Sequence, residues 1–260
     1  MSDMKTLEES VAQAMDGGPG TGIVPFLPYI LQDAWEIGTS AEIVTGLLRR
    51  HMGDRARPRA LDLGCGKGAV AVKLAKDLGC RCLGIDAIGE FVEFARAKAR
   101  EFGVERLCRF ETGDIRERIK TLGRFDVIVL GAIGPVFGDC FATLATLSPH
   151  LRKGGTIVVD DGYFPDDSPH ARPLIMKRGE MLRQIAAAGM RLAEEVIFGH
   201  DEMAEMDEAM FRDLEKRCRE LMALHPEKKE LFEDYVRRQV EENDVLENKV
   251  VCAVMALKKR

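Results

Sequence analysis

The chain has 260 residues, 46 % of them apolar, and a formal net charge of -5. That allows one large α/β domain, or one domain with a lid, around a substantial core. The charges are spread along the chain, without the long Lys/Arg block that grips a nucleic-acid backbone. No segment reaches the roughly 18 apolar residues a membrane span needs. Seven cysteines, at 65, 80, 82, 108, 140, 218 and 252, form an odd and sparse set that argues against a disulfide framework. Cys80-x-Cys82 lacks the second pair of a structural zinc site. The N-terminus has early acids and no apolar run, unlike a signal peptide. A reducing cytoplasm is the simplest location.

Residues 1–22 begin polar, with a weak helical pattern on Leu7, Val11 and Ala14, and end in a Gly/Pro cluster that breaks it. Pro25 and Pro28 interrupt the apolar stretch that holds Tyr29 and Trp35. Ser40 is the expected N-cap of a helix carrying Ile43, Val44, Leu47 and Leu48. The basic approach Arg55–Arg59 reads as a solvated loop. Strands are expected at 59–63, 82–86, 108–112, 125–130 and 156–160, with helical patterns at 68–78, 87–102, 115–122 and 139–148 between them. The uninterrupted apolar run Val127-Ile128-Val129-Leu130 suits a parallel strand buried on both faces. This alternation implies a doubly wound α/β sheet with right-handed crossovers.

A loop from 160 to 170 follows, then a helix at 177–188 and a sixth strand from 192. Residues 200–247 exceed an ordinary crossover. Met203, Met206, Met210, Leu214, Cys218 and Leu221 have helical spacing, Pro226 interrupts, and Phe232, Tyr235 and Val236 resume it. The methionine stripe reads as core packing. A last strand is expected at 249–257. The expected divisions are an N-terminal cover at 1–52, a core at 53–199, a helical insertion or lid at 200–247, and a terminal core strand and tail at 248–260.

The chemistry concentrates in Leu61-Asp62-Leu63-Gly64-Cys65-Gly66-Lys67-Gly68. An apolar strand runs into a glycine turn and then a helix, which lets the backbone approach a ligand and aims the first helical amides at it. Asp86 ends the next strand about twenty residues later, the spacing that grips ribose hydroxyls. By pattern alone, Gly64-x-Gly66-x-x-Ala69 also matches a dinucleotide fingerprint. The P-loop is excluded, since no Gly-Lys-Ser/Thr ends the turn. Lys67 is expected to point to solvent.

The longer string Leu-Asp-Leu-Gly-Cys-Gly-x-Gly, then Ile85-Asp86, then Thr112-Gly113-Asp114, resembles the class I S-adenosylmethionine-dependent methyltransferases of the small-molecule type over residues 58 to 161. The resemblance implies a Rossmann-like sheet of seven strands, mostly parallel with an antiparallel terminal strand, plus the helical insertion. It implies S-adenosylmethionine bound by Asp62, Gly64, Cys65, Gly66, Gly68, Asp86, Ala87, Ile88, Asp114, Ile115 and Leu130. Asp62 would orient the ammonium, Asp86 the ribose, and Asp114 the adenine amino group, with Ala87, Ile88 and Ile115 against the ring. Asp114 also suits a helix cap.

Tyr29, Trp35, Asp161, Tyr163 and His170 are the candidates for the acceptor pocket. His150 and His200 are weaker candidate bases, and no catalytic residue is assigned. Asp160-Asp161 raises the question of a magnesium site, but Leu130-Gly131-Ala132 lacks the acid that such enzymes carry after strand four, so no metal is expected. The partner is a small-molecule methyl acceptor, with no membrane or nucleic acid, and with self-association through the insertion. The motif leaves the acceptor atom open. An NAD-dependent oxidoreductase and a non-catalytic cofactor-binding protein are the competing readings.

Overall fold

The structure is a computed structural model that describes residues 5–18, 20–53 and 55–260, the side chains of 200–207 excepted. Backbone contacts divide the chain into two units, Trp35–Ile197 with Cys252–Arg260, and Met1–Ala34 with Phe198–Val251.

The first unit holds a seven-stranded sheet: β1 (Arg59–Leu63), β2 (Arg81–Asp86), β3 (Cys108–Thr112), β4 (Phe125–Gly131), β5 (Leu151–Tyr163), β6 (Met190–Ile197) and β7 (Val251–Lys259). The strand order is β3-β2-β1-β4-β5-β7-β6. Strands β1 to β5 pair in parallel, and β7 is antiparallel to β6. Although last in the chain, β7 lies between β5 and β6, so that the antiparallel terminal strand is interior and β6 forms the edge. The order reverses between β1 and β4. Right-handed crossovers in opposite directions from that point place helices on opposite faces. Ala41–His51, Ala69–Leu78 and Gly89–Glu101 pack in succession, and Cys140–Leu147 packs on Arg178–Ala187. Every residue of β4 from Phe125 to Leu130 is buried, as double coverage requires.

Helix starts follow local chemistry. The Ser40 hydroxyl accepts the Ile43 amide at 3.4 Å, and Asp139 accepts the Ala142 amide at 2.8 Å. Two expectations change. The strand expected at 156–160 is longer: β5 begins at Leu151, absorbs Gly154 and Gly155, and runs on to Tyr163. A shift in the β4–β5 register accommodates them. Arg55 is not merely solvated. It pairs with the buried Asp126 at 2.6 Å, where Arg152 at 3.0 Å and the Arg59 amide at 2.9 Å also converge. Burial opposes the charge on Asp126, but these donors and cations hold its carboxyl below the usual range. This node ties the N-terminal ends of β1 and β4 together.

The second unit is helical. His200–Leu224 and Lys229–Asn248 pack against each other, broken at Pro226–Lys228 as the proline dictates. Thr6 and Glu9 form a capping box on the helix Leu7–Ala14. Leu214, Cys218, Leu221, Phe232 and Tyr235 are buried here. Met203 and Met206 fall among the side chains outside the described residues.

Candidate active site

At a reversal of strand order, the crevice lies beyond the C-terminal ends of the two central strands, here β1 and β4. Gly64, Gly66 and Gly68 follow β1 with φ of 69°, 49° and 78°. At Gly68 a side chain would meet Ala95 Cβ at 2.6 Å and the Phe110 ring at 3.0 Å, so this glycine serves packing. At Gly66 the nearest atom to an added Cβ is Ile37 Cδ1 at 3.9 Å, so the backbone there borders open space. Sequence reasoning missed Ile37, because nothing local shows that the segment after Trp35 returns to the turn.

Asp86 ties the turn to β2. Its Oδ2 accepts the Gly66 amide at 2.8 Å and its Oδ1 the Ile88 amide at 2.9 Å. Burial raises its carboxyl, and the amides of Ile88, Gly66 and Ala87 oppose that shift. A carboxylate has about four lone-pair sites, so these amides leave capacity for a hydroxyl donor. Asp62 is 3 % exposed and its Oδ2 has no hydrogen-bond partner. Burial first, and then the charge of Asp86, push it up to about 7, with the Ala71 amide opposing. An unsatisfied buried carboxylate oxygen beside a second acid calls for a cation or a donor. The ammonium of S-adenosylmethionine supplies both, so the residues present fit the group.

The structure separates the other expected residues. Cys65 is buried, and burial pushes its thiol well above the ordinary range, so it is an inert wall. Ile115 and Leu130 are buried, and Ala87 and Ile88 are half-buried. Asp114 caps the short helix Ile115–Arg118, accepting the Arg116 amide at 2.8 Å, and pairs with the Arg116 guanidinium at 2.7 Å. That pairing holds its carboxyl below the usual range. Lys67 contradicts expectation. It is 3 % exposed, with its ammonium 4.7 Å from the Phe94 ring centre, because its aliphatic stem and those aromatic faces shelter it. Trp35 Nε1 donates to the Lys67 carbonyl at 3.1 Å, and its ring lies 5.1 Å from that of Phe102, which anchors it beside the turn.

Of the remaining pocket candidates, Asp161 stands in the C-terminal part of β5 and is exposed. Tyr163 is 3 % exposed and donates to Glu195 at 3.3 Å, where Arg178 also pairs at 2.5 Å. His170 is exposed, its ring 6.2 Å from that of Phe164. His150 Nδ1 lies 3.1 Å from the Leu122 carbonyl. Tyr29 belongs to the helical unit, where it donates to Glu220 at 2.7 Å. The side chain of His200 lies outside the described residues. Among the described residues no group of three His, Cys, Asp or Glu could hold a metal ion, and no helix is long and apolar enough to cross a membrane.

This topology, with a positive-φ turn after β1 and an acid ending β2, is the fold of class I S-adenosylmethionine-dependent methyltransferases. The model of the methyltransferase domain family matches residues 55–243, and the chain belongs to that family. A solved methyltransferase from Geobacter sulfurreducens, in complex with S-adenosyl-L-homocysteine, has the same fold. Its TM-score is 0.75 at 21 % identity, covering 91 % of this chain and 98 % of that one. The uncharacterized methyltransferase YcgJ of Bacillus subtilis is 31 % identical over 122 residues, 47 % of each chain. Ajmaline N-methyltransferase of Rauvolfia serpentina is 27 % identical over 133 residues, 51 % of this chain and 46 % of its own. The chain thus spans about half the length of these curated relatives.

Proposed function

We propose that this protein transfers the methyl group of S-adenosylmethionine to a small-molecule acceptor. The observation that carries the reading is the pairing of an open backbone at Gly66 with two buried acids, Asp62 and Asp86, that keep unused acceptor capacity. S-adenosylmethionine supplies a methyl group activated on sulfur. Asp62 binds the ammonium end. Asp86 accepts from the ribose hydroxyls while it holds Gly66 and Ile88 in place. Asp114, already fixed by Arg116, faces the adenine amino group, with Ala87, Ile88 and Ile115 packed on the ring. Gly64, Cys65 and Leu130 complete the wall, and Gly68 holds the turn against Ala95 and Phe110. Fixing the donor and excluding competing water supplies most of what an in-line displacement needs from the protein.

The acceptor is small, consistent with an acidic chain and with the small-molecule alkaloid that names one relative. Trp35, Asp161 and His170, all in the sheet unit, are the acceptor-selecting residues of this reading; Tyr29 is held by Glu220 within the helical unit, and Tyr163 has a supporting role through Glu195. Self-association through the long helices belongs to the same reading, supported by exposed Leu224 and Val240. So does a reducing cytoplasm, which suits seven free cysteines. The test is incubation with methyl-labelled S-adenosylmethionine and a library of small acceptors. Labelled product with release of S-adenosylhomocysteine supports the proposal. Binding of the cofactor with no transfer to any library member favours the non-catalytic alternative.

A further inference from the structure

Near the C-terminal end of β5 stand two acids that the fold does not pair. Asp160 lies opposite Gly131 in the β4–β5 register, and its carbonyl accepts the Ala132 amide at 3.2 Å. That fixes it at the mouth of the crevice. The surrounding wall is continuous with the glycine turn. A side chain on Gly131 would run into Thr39, and one on Gly64 into Ile133 Cγ2 at 2.5 Å. Thr39 is 5 % exposed, and its hydroxyl has no hydrogen-bond partner. It lies beside Asp160 and opposes the rise of that carboxyl, but short of hydrogen-bond geometry.

Among the described residues the only side-chain charge acting on either carboxyl is that of Asp161 on Asp160. Burial, and then the charge of Asp161, push Asp160 up to about 7. Protein crowded around Asp161 pushes it up to about 6 although its surface reaches solvent, against the Gly162 amide at 2.8 Å. Burial, and then the charges of Asp161 and Asp139, hold the nearby Cys140 thiol high. Among the described residues no Lys or Arg contributes to either carboxyl. This differs from Asp114 and Asp126, which have guanidinium partners. Both acids are crowded by protein yet keep solvent-accessible surface, as groups on a cleft wall do. Two carboxylates and an unsatisfied hydroxyl, without a counter-ion, repel anionic acceptors and attract a cation with several N–H donors.

We propose that Asp160, with the charge of Asp161 and the hydroxyl of Thr39 beside it, binds an amine acceptor as its ammonium and takes the proton that frees the nitrogen lone pair. The inference rests on the methyl-transfer reading and names the acceptor class for it. In balance, R–NH3⁺ gives one proton to the Asp160 carboxylate. The freed pair forms the N–C bond while the S–C bond breaks with its electrons going to sulfur. The products are S-adenosylhomocysteine and R–NH2⁺–CH3, and the Asp160 proton returns to water. A carboxyl held near neutrality is matched to that transfer.

The experiment compares the wild type with Asp160→Asn and Asp161→Asn. Affinity for S-adenosylhomocysteine is measured by calorimetry. Binding of n-butylammonium and of n-butanol to the S-adenosylhomocysteine complex is measured in the same way. Turnover is followed over matched panels of amines, alcohols and thiols. The expected result is butylammonium binding without butanol binding, turnover confined to amines, and a loss of at least tenfold in amine binding and kcat/KM in Asp160→Asn. S-adenosylhomocysteine affinity should stay within twofold, and Asp161→Asn should lie between the two. Turnover of alcohols or thiols in preference to amines, absence of amine turnover, or unchanged amine binding in both variants overturns the inference. Loss of S-adenosylhomocysteine affinity in Asp160→Asn also overturns it, since the acid would then serve the donor. Failure of the wild type to bind S-adenosylhomocysteine defeats the underlying methyl-transfer reading instead.

Discussion

Replacing Gly66 by alanine separates the ligand-facing part of the turn from the part that serves packing. Gly66 has φ of 49°, and a left-handed backbone costs an L-residue roughly 1–2 kcal/mol. An added Cβ meets only Ile37 Cδ1 at 3.9 Å, so no steric term follows. For a domain of this size, about 1 kcal/mol lowers Tm by about 2–4 °C, so Gly66→Ala should melt about 2–8 °C below the wild type. The same methyl group enters the space assigned to the cofactor, and affinity for S-adenosylhomocysteine should fall by about 30-fold or more, equivalent to about 2 kcal/mol. Gly68→Ala reverses the proportions. Its Cβ would lie 2.6 Å from Ala95 and 3.0 Å from Phe110, adding an overpacking cost of about 1–3 kcal/mol to the backbone term. Thermal melts and calorimetric titration of both variants measure the two effects. Wild-type affinity in a correctly folded Gly66→Ala protein would refute the assignment of its open side to the ligand.

Asp126→Asn removes the carboxylate shared by Arg55, Arg152 and the Arg59 amide. It should cost about 1–3 kcal/mol of stability, leave S-adenosylhomocysteine affinity within twofold, and be read by urea unfolding and calorimetry. Since the Asp126 carboxyl is held below its unfolded value, the stability it contributes is complete above about pH 4 and lost as pH falls further; the variant should lose less stability in that window. Asp62 has the opposite sign. With a folded value of about 7 against about 3.9 unfolded, its penalty is absent at low pH and grows as pH rises from about 4 to 7. The ligand-free protein should therefore lose Tm over that range, and Asp62→Asn should flatten the slope. Asp86→Ala releases the Gly66 and Ile88 amides as well as the ribose acceptor, so both Tm and S-adenosylhomocysteine affinity should drop, the latter by at least tenfold.

The features legible in the sequence are those written in local periodicity and turn chemistry. The run Val127–Leu130 announces a buried strand, the glycines at 64, 66 and 68 announce a turn, and Pro226 announces the break between long helices. What escaped depends on partners distant in sequence. Lys67 looks like a surface lysine until the helix carrying Phe91 and Phe94 shelters it. The basic stretch at Arg55 looks solvated until Asp126 arrives from 71 residues away. In the sequence Asp160 reads only as a candidate metal ligand, and its meaning changes once Thr39 and Gly131 stand beside it with no Lys or Arg acting on it among the described residues. The grouping of the N-terminal residues with the long helices, held within that unit by Arg217 pairing with Asp33 at 2.6 Å, has no local signature either.

The most direct test of the central claim is a calorimetric competition between S-adenosylhomocysteine and NAD on the purified protein, repeated on Asp86→Ala. Saturable 1:1 binding of S-adenosylhomocysteine is expected, with at least tenfold weaker binding in Asp86→Ala and no displacement by millimolar NAD. Saturable binding of NAD with none of S-adenosylhomocysteine would contradict it, and would assign the turn at Gly64–Gly68 to a dinucleotide.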